Sequence, residues 1–219
     1  MGSGLAYKFH GSQIQVSVSF DADSPAPAIT GITQANPAVV TDAGHGLSDG
    51  DVIIISGVVG MTELNGKTFI IEEVTSSTFK LLGVDSTGYG AYVSGGTYSV
   101  ATFSNFCELT NYNRQGGTSP EIATTALCST AQEYLLGLPD FGTTQIDYNF
   151  APSTSVQQAI QDAYESGDIL AIKVTLPDSG GTLVQLGFVQ QTSEQAGVGG
   201  IWTGSLTIRN TGNREDFFA

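Results

Sequence analysis

The sequence predicts a mainly β protein in which one helix flanks an antiparallel sheet or sandwich, with a small barrel-like β module inserted into it. Three observations carry that prediction. Gly is abundant, at 28 of 219 residues, and charged residues make up only 13%, so the polar load falls on Ser, Thr, Gln and Asn, as in a turn-rich β protein. From residue 170 to residue 210 apolar and polar residues alternate almost without a break, the period of strands with one buried face. Between residues 29 and 100 the texture shifts to short β-branched runs with turns of their own.

Residues 13–20 read as the first strand, with Ile14, Val16, Val18 and Phe20 on one face and Gln13, Gln15, Ser17 and Ser19 on the other. Asp23-Ser24-Pro25-Ala26-Pro27 then marks a domain boundary, because proline cannot donate to a sheet ladder. Within residues 29–100, strands are expected at 38–41, 52–56, 68–75, 78–82 and 97–100, with Asp49-Gly50 and Asn65-Gly66 supplying hairpin-type turns. That segment is expected to fold alone and to be replaceable by a linker. The remaining core is then discontinuous, residues 1–28 and 101–219.

The core resumes with a strand at 101–109. Residues 110–127, with Gly116, Gly117 and Pro120, show little periodicity and are expected to form a functional loop or arm. A short helix is expected at 130–136, boxed by Thr130 and Glu133 and stopped at Gly137. Residues 143–150 alternate again, Ile146, Tyr148 and Phe150 inward and Thr143, Gln145, Asp147 and Asn149 outward. After Pro152, the spacing of Ser155 and Gln158 predicts a capping box. Val156, Ala159, Ile160, Ala163 and Tyr164 supply the buried stripe of one helix, and Gly167 its stop. Leu170, Ile172, Val174 and Leu176 then alternate with Ala171, Lys173 and Thr175 up to a turn at Pro177-Asp178-Ser179-Gly180-Gly181. Strands at 182–192 and 201–210 follow, the latter setting Trp202, Leu206 and Ile208 against Thr203, Ser205, Thr207 and Arg209.

Composition excludes several functions. Acidic residues outnumber basic ones 21 to 7, a formal net charge of -14, which opposes a grip on a phosphate backbone. Residues 1–13 hold no apolar run with a basic flank, and no stretch suits a bilayer, so a protein without a membrane, kept in a cytoplasm, is expected. Cys107 and Cys128 are expected as buried free thiols. Gly66-Lys67-Thr68 fails as a phosphate-binding loop, because five residues rather than four separate Gly60 from Gly66 and a strand follows where a helix is needed. His45 lies near Asp42, Asp49 and Asp51, an arrangement that reads as turn chemistry rather than a metal site, and His10 has no partner by spacing. With no Gly-x-Ser-x-Gly elbow and no paired carboxylates, no catalytic, cofactor or metal site is expected.

The strands at 13–20, 143–150, 183–191 and 201–210 each offer a face rich in Gln, Ser, Thr and Asn and, Arg209 apart, almost free of cations. Such a face is either the solvent side of a sheet or a wall along which a polyanion slides without sticking, and periodicity does not separate the two. The run Gly167-Asp168-Ile169-Leu170-Ala171-Ile172-Lys173-Val174-Thr175-Leu176-Pro177-Asp178, followed by Gly187-Phe188-Val189 and Thr207-Ile208-Arg209-Asn210-Thr211-Gly212, resembles the C-terminal half of tail tube proteins of long-tailed phages. Cys107-Glu108-Leu109-Thr110, Ile122-Ala123-Thr124-Thr125 and Cys128-Ser129-Thr130-Ala131-Gln132-Glu133 resemble the same family.

That resemblance implies a non-enzymatic virion protein, assembled in the host cytoplasm, whose copies form six-membered rings. Their sheets close into one barrel, and stacked rings conduct viral DNA. It implies a tape measure protein, a tail terminator and distal tail proteins as partners, with no cofactor and no membrane. It makes Gln13, Gln15, Ser17, Ser19, Thr143, Gln145, Asp147, Asn149, Gln185, Thr203, Ser205 and Thr207 candidates for facing the lumen, with Arg209 paired to a carboxylate or displaced to the rim. Arg114, Pro120, Glu121 and Ile122, with Phe217 and Phe218 of the tail, become candidates for contacts between rings.

Within the insert, Gly44-His45-Gly46-Leu47, Gly50-Asp51-Val52, Leu64-Asn65-Gly66-Lys67-Thr68-Phe69 and Gly88-Tyr89-Gly90-Ala91-Tyr92 resemble a small β module of phage structural proteins. The same stretch is similar to the first catalytic-cysteine half-domain of ubiquitin-activating enzymes. Only a scaffold on the outer surface is implied. The alternative is a virion decoration or adhesion protein whose loop at residues 88–92 contacts a receptor or glycan.

Overall fold

The computed structural model describes residues 7–21 and 28–218, so the boundary expected at Pro25 and Pro27 lies outside the described residues. The chain opens on β1 (Gln13–Asp21) and enters the module: β2 (Gly31–Ile32), β3 (Val39–Thr41), β4 (Val52–Val59), β5 (Lys67–Glu72) and β6 (Thr78–Leu81). β7 (Ser94–Asn105) leads back, followed by β8 (Leu109–Gln115), β9 (Glu121–Ala123), β10 (Tyr134–Leu136) and β11 (Thr143–Asn149). Then come α1 (Ser155–Ser166), β12 (Ile169–Thr175), β13 (Thr182–Gln195), β14 (Thr203–Asn210) and β15 (Glu215–Phe217). The protein is mainly β, as its sequence predicts, with one α-helix among the described residues, which close no barrel by themselves.

One antiparallel sheet runs β2-β3-β6-β5-β4-β7-β1-β12-β13-β14-β11-β8. It folds back on itself at β13, whose residues 182–188 pair with β12 while residues 187–195 pair with β14, with a register shift between Val189 and Gln191. A bulge bends a strand and raises its twist, so β13 serves two layers. The first is β7-β1-β12 with the start of β13, and the second is the end of β13 with β14, β11 and β8. Ile14, Val16, Leu170, Ile172 and Val174 of the first layer meet Ile146, Tyr148, Leu206 and Ile208 of the second, and Val156, Ile160 and Ala163 of α1 complete the core. Half-buried Arg114 of β8 links the two layers, its Nε donating to Gln185 Oε1 at 3.2 Å.

The helix stops where expected, with Gly167 at φ 77°, a backbone conformation that glycine adopts without a Cβ penalty. Its start differs. Thr154 is the N-cap residue and its hydroxyl donates back to Ala151 O at 3.0 Å, so no capping box forms. Buried Gln157 takes over, accepting from Ala151 N at 2.8 Å and donating to Asn149 O at 3.0 Å, which ties the helix start to the end of β11. Tyr164, expected on the buried stripe, lies on its flank and is exposed.

Residues 97–109, read as the end of one strand and the start of another, belong mostly to the unbroken β7. Its Ser94–Val100 part pairs with β4 and its Val100–Asn105 part with β1. The module has its own core, with Ile53, Ile55, Met61, Leu64, Ile71, Phe79, Leu81 and Tyr98. A third cluster joins it to the rest: Val52 and Ile70, with Leu82, pack against Ala171 and Val184, with Leu186, Phe103 and Phe217. The module therefore covers the outward side of the first layer, which does not fit a freely replaceable appendage.

Residues 109–149 form one long ribbon. β8 pairs with β11, Thr118 bridges Asp140, and β9 pairs with β10. The helix expected at 130–136 does not form. Its last residues are β10, Glu133 N donates to Thr125 Oγ1 at 2.9 Å, and Thr124 N donates to Glu133 O at 2.8 Å. A seven-residue helix with nothing to pack on is marginal, whereas in the ribbon Tyr134, Leu135 and Leu136 find ladder partners in Ala123, Ile122 and Glu121. Cys107 and Cys128, expected to be buried, are both exposed.

Candidate functional site

The outward side of the second layer is a neutral polar surface four strands wide. Residues paired across an antiparallel ladder share a face, so the registers define its rows. Gln115, Asn113 and Asn111 of β8 stand opposite Thr143, Gln145 and Asp147 of β11. Thr143, Gln145, Asp147 and Asn149 in turn oppose Arg209, Thr207, Ser205 and Thr203 of β14. Beyond them Gln191, Ser193 and Gln195 of β13 oppose Thr207, Ser205 and Thr203.

Only Asp147 and Arg209 bring charge into these rows. Asp147 Oδ2 accepts from Asn111 Nδ2 at 3.0 Å. Arg209 is paired, its Nη2 standing 2.6 Å from Asp140 Oδ2 at the base of the ribbon, as the sequence reading expected of a cation on this face. Asp140 also accepts from Gly142 N at 2.8 Å. That amide is the main cause that holds its carboxyl below the usual carboxylate range; desolvation opposes it, and the Arg209 guanidinium adds to the lowering.

The structure divides the residues singled out for the lumen. Thr143, Gln145, Asp147, Asn149, Thr203, Ser205 and Thr207 stand together on this surface. Gln13 and Gln15 do not: they oppose Thr175 and Lys173 on the outward side of the first layer, and Ser19 belongs to the same strand. Ser17 is buried, because the register shift between Ser17 and Ser19 turns its hydroxyl to accept from Ala171 N at 2.9 Å. Gln185 is buried too, taking Arg114 on Oε1 and donating through Nε2 to Gly212 O at 2.9 Å. Asn111, Asn113, Gln115, Gln191, Ser193 and Gln195 were missed. The signal for the first three was the Asn-x-Asn-x-Gln alternation around Tyr112 and Arg114, hidden because an inward-facing arginine reads as polar on both faces; the last three lie beyond the register shift between Val189 and Gln191.

The candidates for contacts between rings also separate. Arg114 is half-buried and bonded to Gln185, and Phe217 packs in the third cluster beside Gly50, where a Cβ would stand 3.1 Å from its ring. Pro120, Glu121 and Ile122 lie exposed on the ribbon, and Phe218 is exposed at the chain end. The ribbon also exposes Leu127, Leu135, Leu136 and Leu138, and the β13–β14 connection exposes Val198, Ile201 and Trp202. Among the described residues, two ladder edges without a partner strand flank the polar surface: the outer side of β8, and the side of β13 beyond Phe188, where β12 has ended.

The acidic residues around His45, expected to serve local turns, are engaged both within the loop and by distant parts of the module. Asp42 accepts from Tyr98 Oη at 2.8 Å, Asp49 from Val74 N at 2.9 Å and Asp51 from Ser48 N at 2.9 Å, while His45 Nδ1 accepts from Leu47 N at 3.1 Å. Among the described residues no group of three or more His, Cys, Asp or Glu side chains is placed to hold a metal ion, and no helix is long and apolar enough to cross a membrane.

Residues 35–101 match the family model of the ubiquitin-activating enzyme E1 FCCH domain. Over 72 residues, 31% of this chain, the sequence is 40% identical to ubiquitin-like modifier-activating enzyme 1 of Oryctolagus cuniculus, and the match spans 7% of that enzyme. The family match covers most of the module and none of the polar surface. Two solved structures are similar over about half of the chain. The tail of an empty GTA particle with C6 symmetry is 16% identical with a TM-score of 0.44, covering 53% of this chain and 87% of that one. The SPP1 tail tube is 14% identical with a TM-score of 0.43, covering 54% and 69%. At those scores the likeness assigns no role.

Proposed function

We propose that this chain is a structural subunit of a phage tail tube and that the outward side of its second layer lines the channel. The observation that carries the reading is a four-stranded neutral surface bounded by two unpaired ladder edges. Pairing β8 of one copy with residues 190–195 of the next continues the surface around a ring and removes both edges, which an isolated sheet would leave open to aggregation. Viral DNA passes a wall of Asn, Gln, Ser and Thr that offers no unpaired Lys or Arg, so its phosphates find no counter-charge to hold them.

The first layer then faces away from the channel and carries the module on the outside, residues 29–100 around a core of 1–28 and 101–219. The exposed apolar ribbon bridges stacked rings. Hexameric rings, a tape measure protein, terminator and distal tail partners, assembly in the host cytoplasm and residence in the virion follow from the family resemblance. Neither catalysis nor a membrane is required.

The test is cross-linking across the new edge. With Cys107 and Cys128 replaced by Ser, Asn113→Cys is combined in turn with Gln191→Cys, Ser193→Cys or Gln195→Cys. Oxidation of assembled material should give a covalent ladder ending at the ring size for one of these pairs, and none for either single variant. Tubes that form while every pair stays uncross-linked would refute this ring closure.

A further inference from the structure

We propose that Asp140 masks Arg209, so that the single cation registered on the polar surface cannot hold a passing polyanion. The consequence for DNA passage rests on the channel reading above; the masking itself does not.

Arg209 opposes Thr143 on one side and Phe188 on the other, so it shares the outward face. A guanidinium is a planar fork suited to phosphate, and here Asp140 Oδ2 occupies it at 2.6 Å. Both side chains remain more than a third exposed, so an anion arriving from solvent can reach the pair. Asp140 is fixed independently of Arg209. Its Oδ1 accepts from Gly142 N at 2.8 Å and its own N–H donates to Thr118 O at 2.8 Å. The loop is fastened to the end of β14, Asn210 N donating to Gly142 O at 3.1 Å and Asn210 Nδ2 to Phe141 O at 3.2 Å. An exposed ion pair adds little to stability, yet this carboxylate is held in place before the arginine is counted. The arrangement suits a fixed counter-charge better than a chance surface contact. The other arginines are engaged elsewhere, Arg114 with Gln185 between the layers and Arg214 with Asp216 at 2.7 Å and 2.9 Å.

The experiment uses Asp140→Asn, which keeps an Oδ1 acceptor for Gly142, with Asp140→Glu and the double variant Asp140→Asn/Arg209→Gln beside it. On free subunits, phenylglyoxal modification of each arginine is followed by peptide mass spectrometry, with Arg114 and Arg214 as internal references. Arg209 should react several-fold faster in Asp140→Asn, slow again in Asp140→Glu, and leave both references unchanged. An unchanged Arg209 rate would overturn the mask. On assembled tubes, retention of a short fluorescent duplex DNA is measured against salt. Asp140→Asn tubes should retain it at low salt and release it at high salt, since such attraction is screened, and the double variant should not retain it. Faster Arg209 modification on subunits without retention by tubes would uphold the mask and overturn the channel placement. Retention that persists in the double variant would overturn Arg209 as its cause. Should Asp140→Asn fail to fold, Asp140→Ser carries the same comparison.

Discussion

Replacing residues 29–100 by a short Gly/Ser linker removes more than an outer module. It deletes β4 together with the Ser94–Val100 part of β7 that pairs with it, and lifts Val52, Ile70 and Leu82 off the first layer. Ala171 and Val184, both at 0% exposure, would then meet water, with Leu186 and Phe103 further uncovered. Leaving a fully buried Val or Leu exposed forgoes about 1.5–3 kcal/mol each. Val184 alone therefore costs about 1.5–3 kcal/mol, and half-buried Leu186 and Phe103 add to it, a sizeable share of the roughly 5–15 kcal/mol that holds a domain folded. The linker variant should be insoluble or lose cooperative thermal unfolding by circular dichroism. Adding Val184→Thr and Leu186→Thr to it should recover solubility. In the full-length chain, Val52→Ala should lower Tm by several degrees. A linker variant that is soluble and melts at the parent's Tm would show that the third cluster contributes nothing and that the module is a passenger.

Gln157→Ala strands Ala151 N and Asn149 O at the helix start and should cost about 1–3 kcal/mol in chemical denaturation; an unchanged midpoint would mean water replaces the amide. Replacing residues 118–139 by a tight turn should leave the Tm of the subunit intact while abolishing tubes in electron micrographs, because the ribbon tip touches none of the three cores; normal tubes would remove the ribbon from the assembly argument. Truncation after Gly212 deletes β15 and Phe217 and should lower subunit Tm, whereas an unaltered Tm would return the tail to a role in assembly alone. Burial, with Glu72 and then Asp216 nearby, raises the Glu215 carboxyl above its ordinary value. Its ionised form is therefore disfavoured in the fold, and the stability tied to the protonated form is complete below the ordinary pKa and lost as pH rises through the raised one. Glu215→Gln should accordingly raise Tm at pH 7 and leave it unchanged at about pH 3; an equal Tm shift at both would assign the effect to shape rather than charge.

Period and punctuation made most strands and the helix legible. Gly167 ended α1 where a left-handed residue was needed, and the alternations at 143–150 and 170–176 gave the inward residues of β11 and β12. The misses have physical causes. The capping box at Ser155 lost to Gln157, whose two bonds reach a neighbouring strand that local spacing does not reveal. The short helix at 130–136 lost to a ribbon partner. β8 escaped notice because Arg114 and Gln185 satisfy each other between the layers, so a polar residue at an inward position broke the apparent period. The polar face itself was legible strand by strand, but a period of two says only that a residue is outward, never which of two layers it leaves.

β13 carries the missing information in its own residues. Before its bulge the outward positions are Val184, Leu186 and Phe188, opposite Lys173, Ala171 and Ile169; after it they are Gln191, Ser193 and Gln195, opposite Thr207, Ser205 and Thr203. One strand thus changes from an apolar to a polar outer face at the point where the sheet turns its corner. The apolar part is where the module and β15 cover the sheet, and the polar part is where the subunit leaves it bare. A face left bare merely for solvent would tolerate Lys and Glu freely, since such residues keep monomers soluble. In a chain with 21 acidic residues and a formal charge of -14, the bare rows hold Asn, Gln, Ser and Thr, one carboxylate bonded to Asn111 and one guanidinium already paired. Repulsion has been placed elsewhere on the molecule and attraction has been cancelled here, which is the balance that the channel wall proposed above requires, since a polyanion would be neither excluded nor held there.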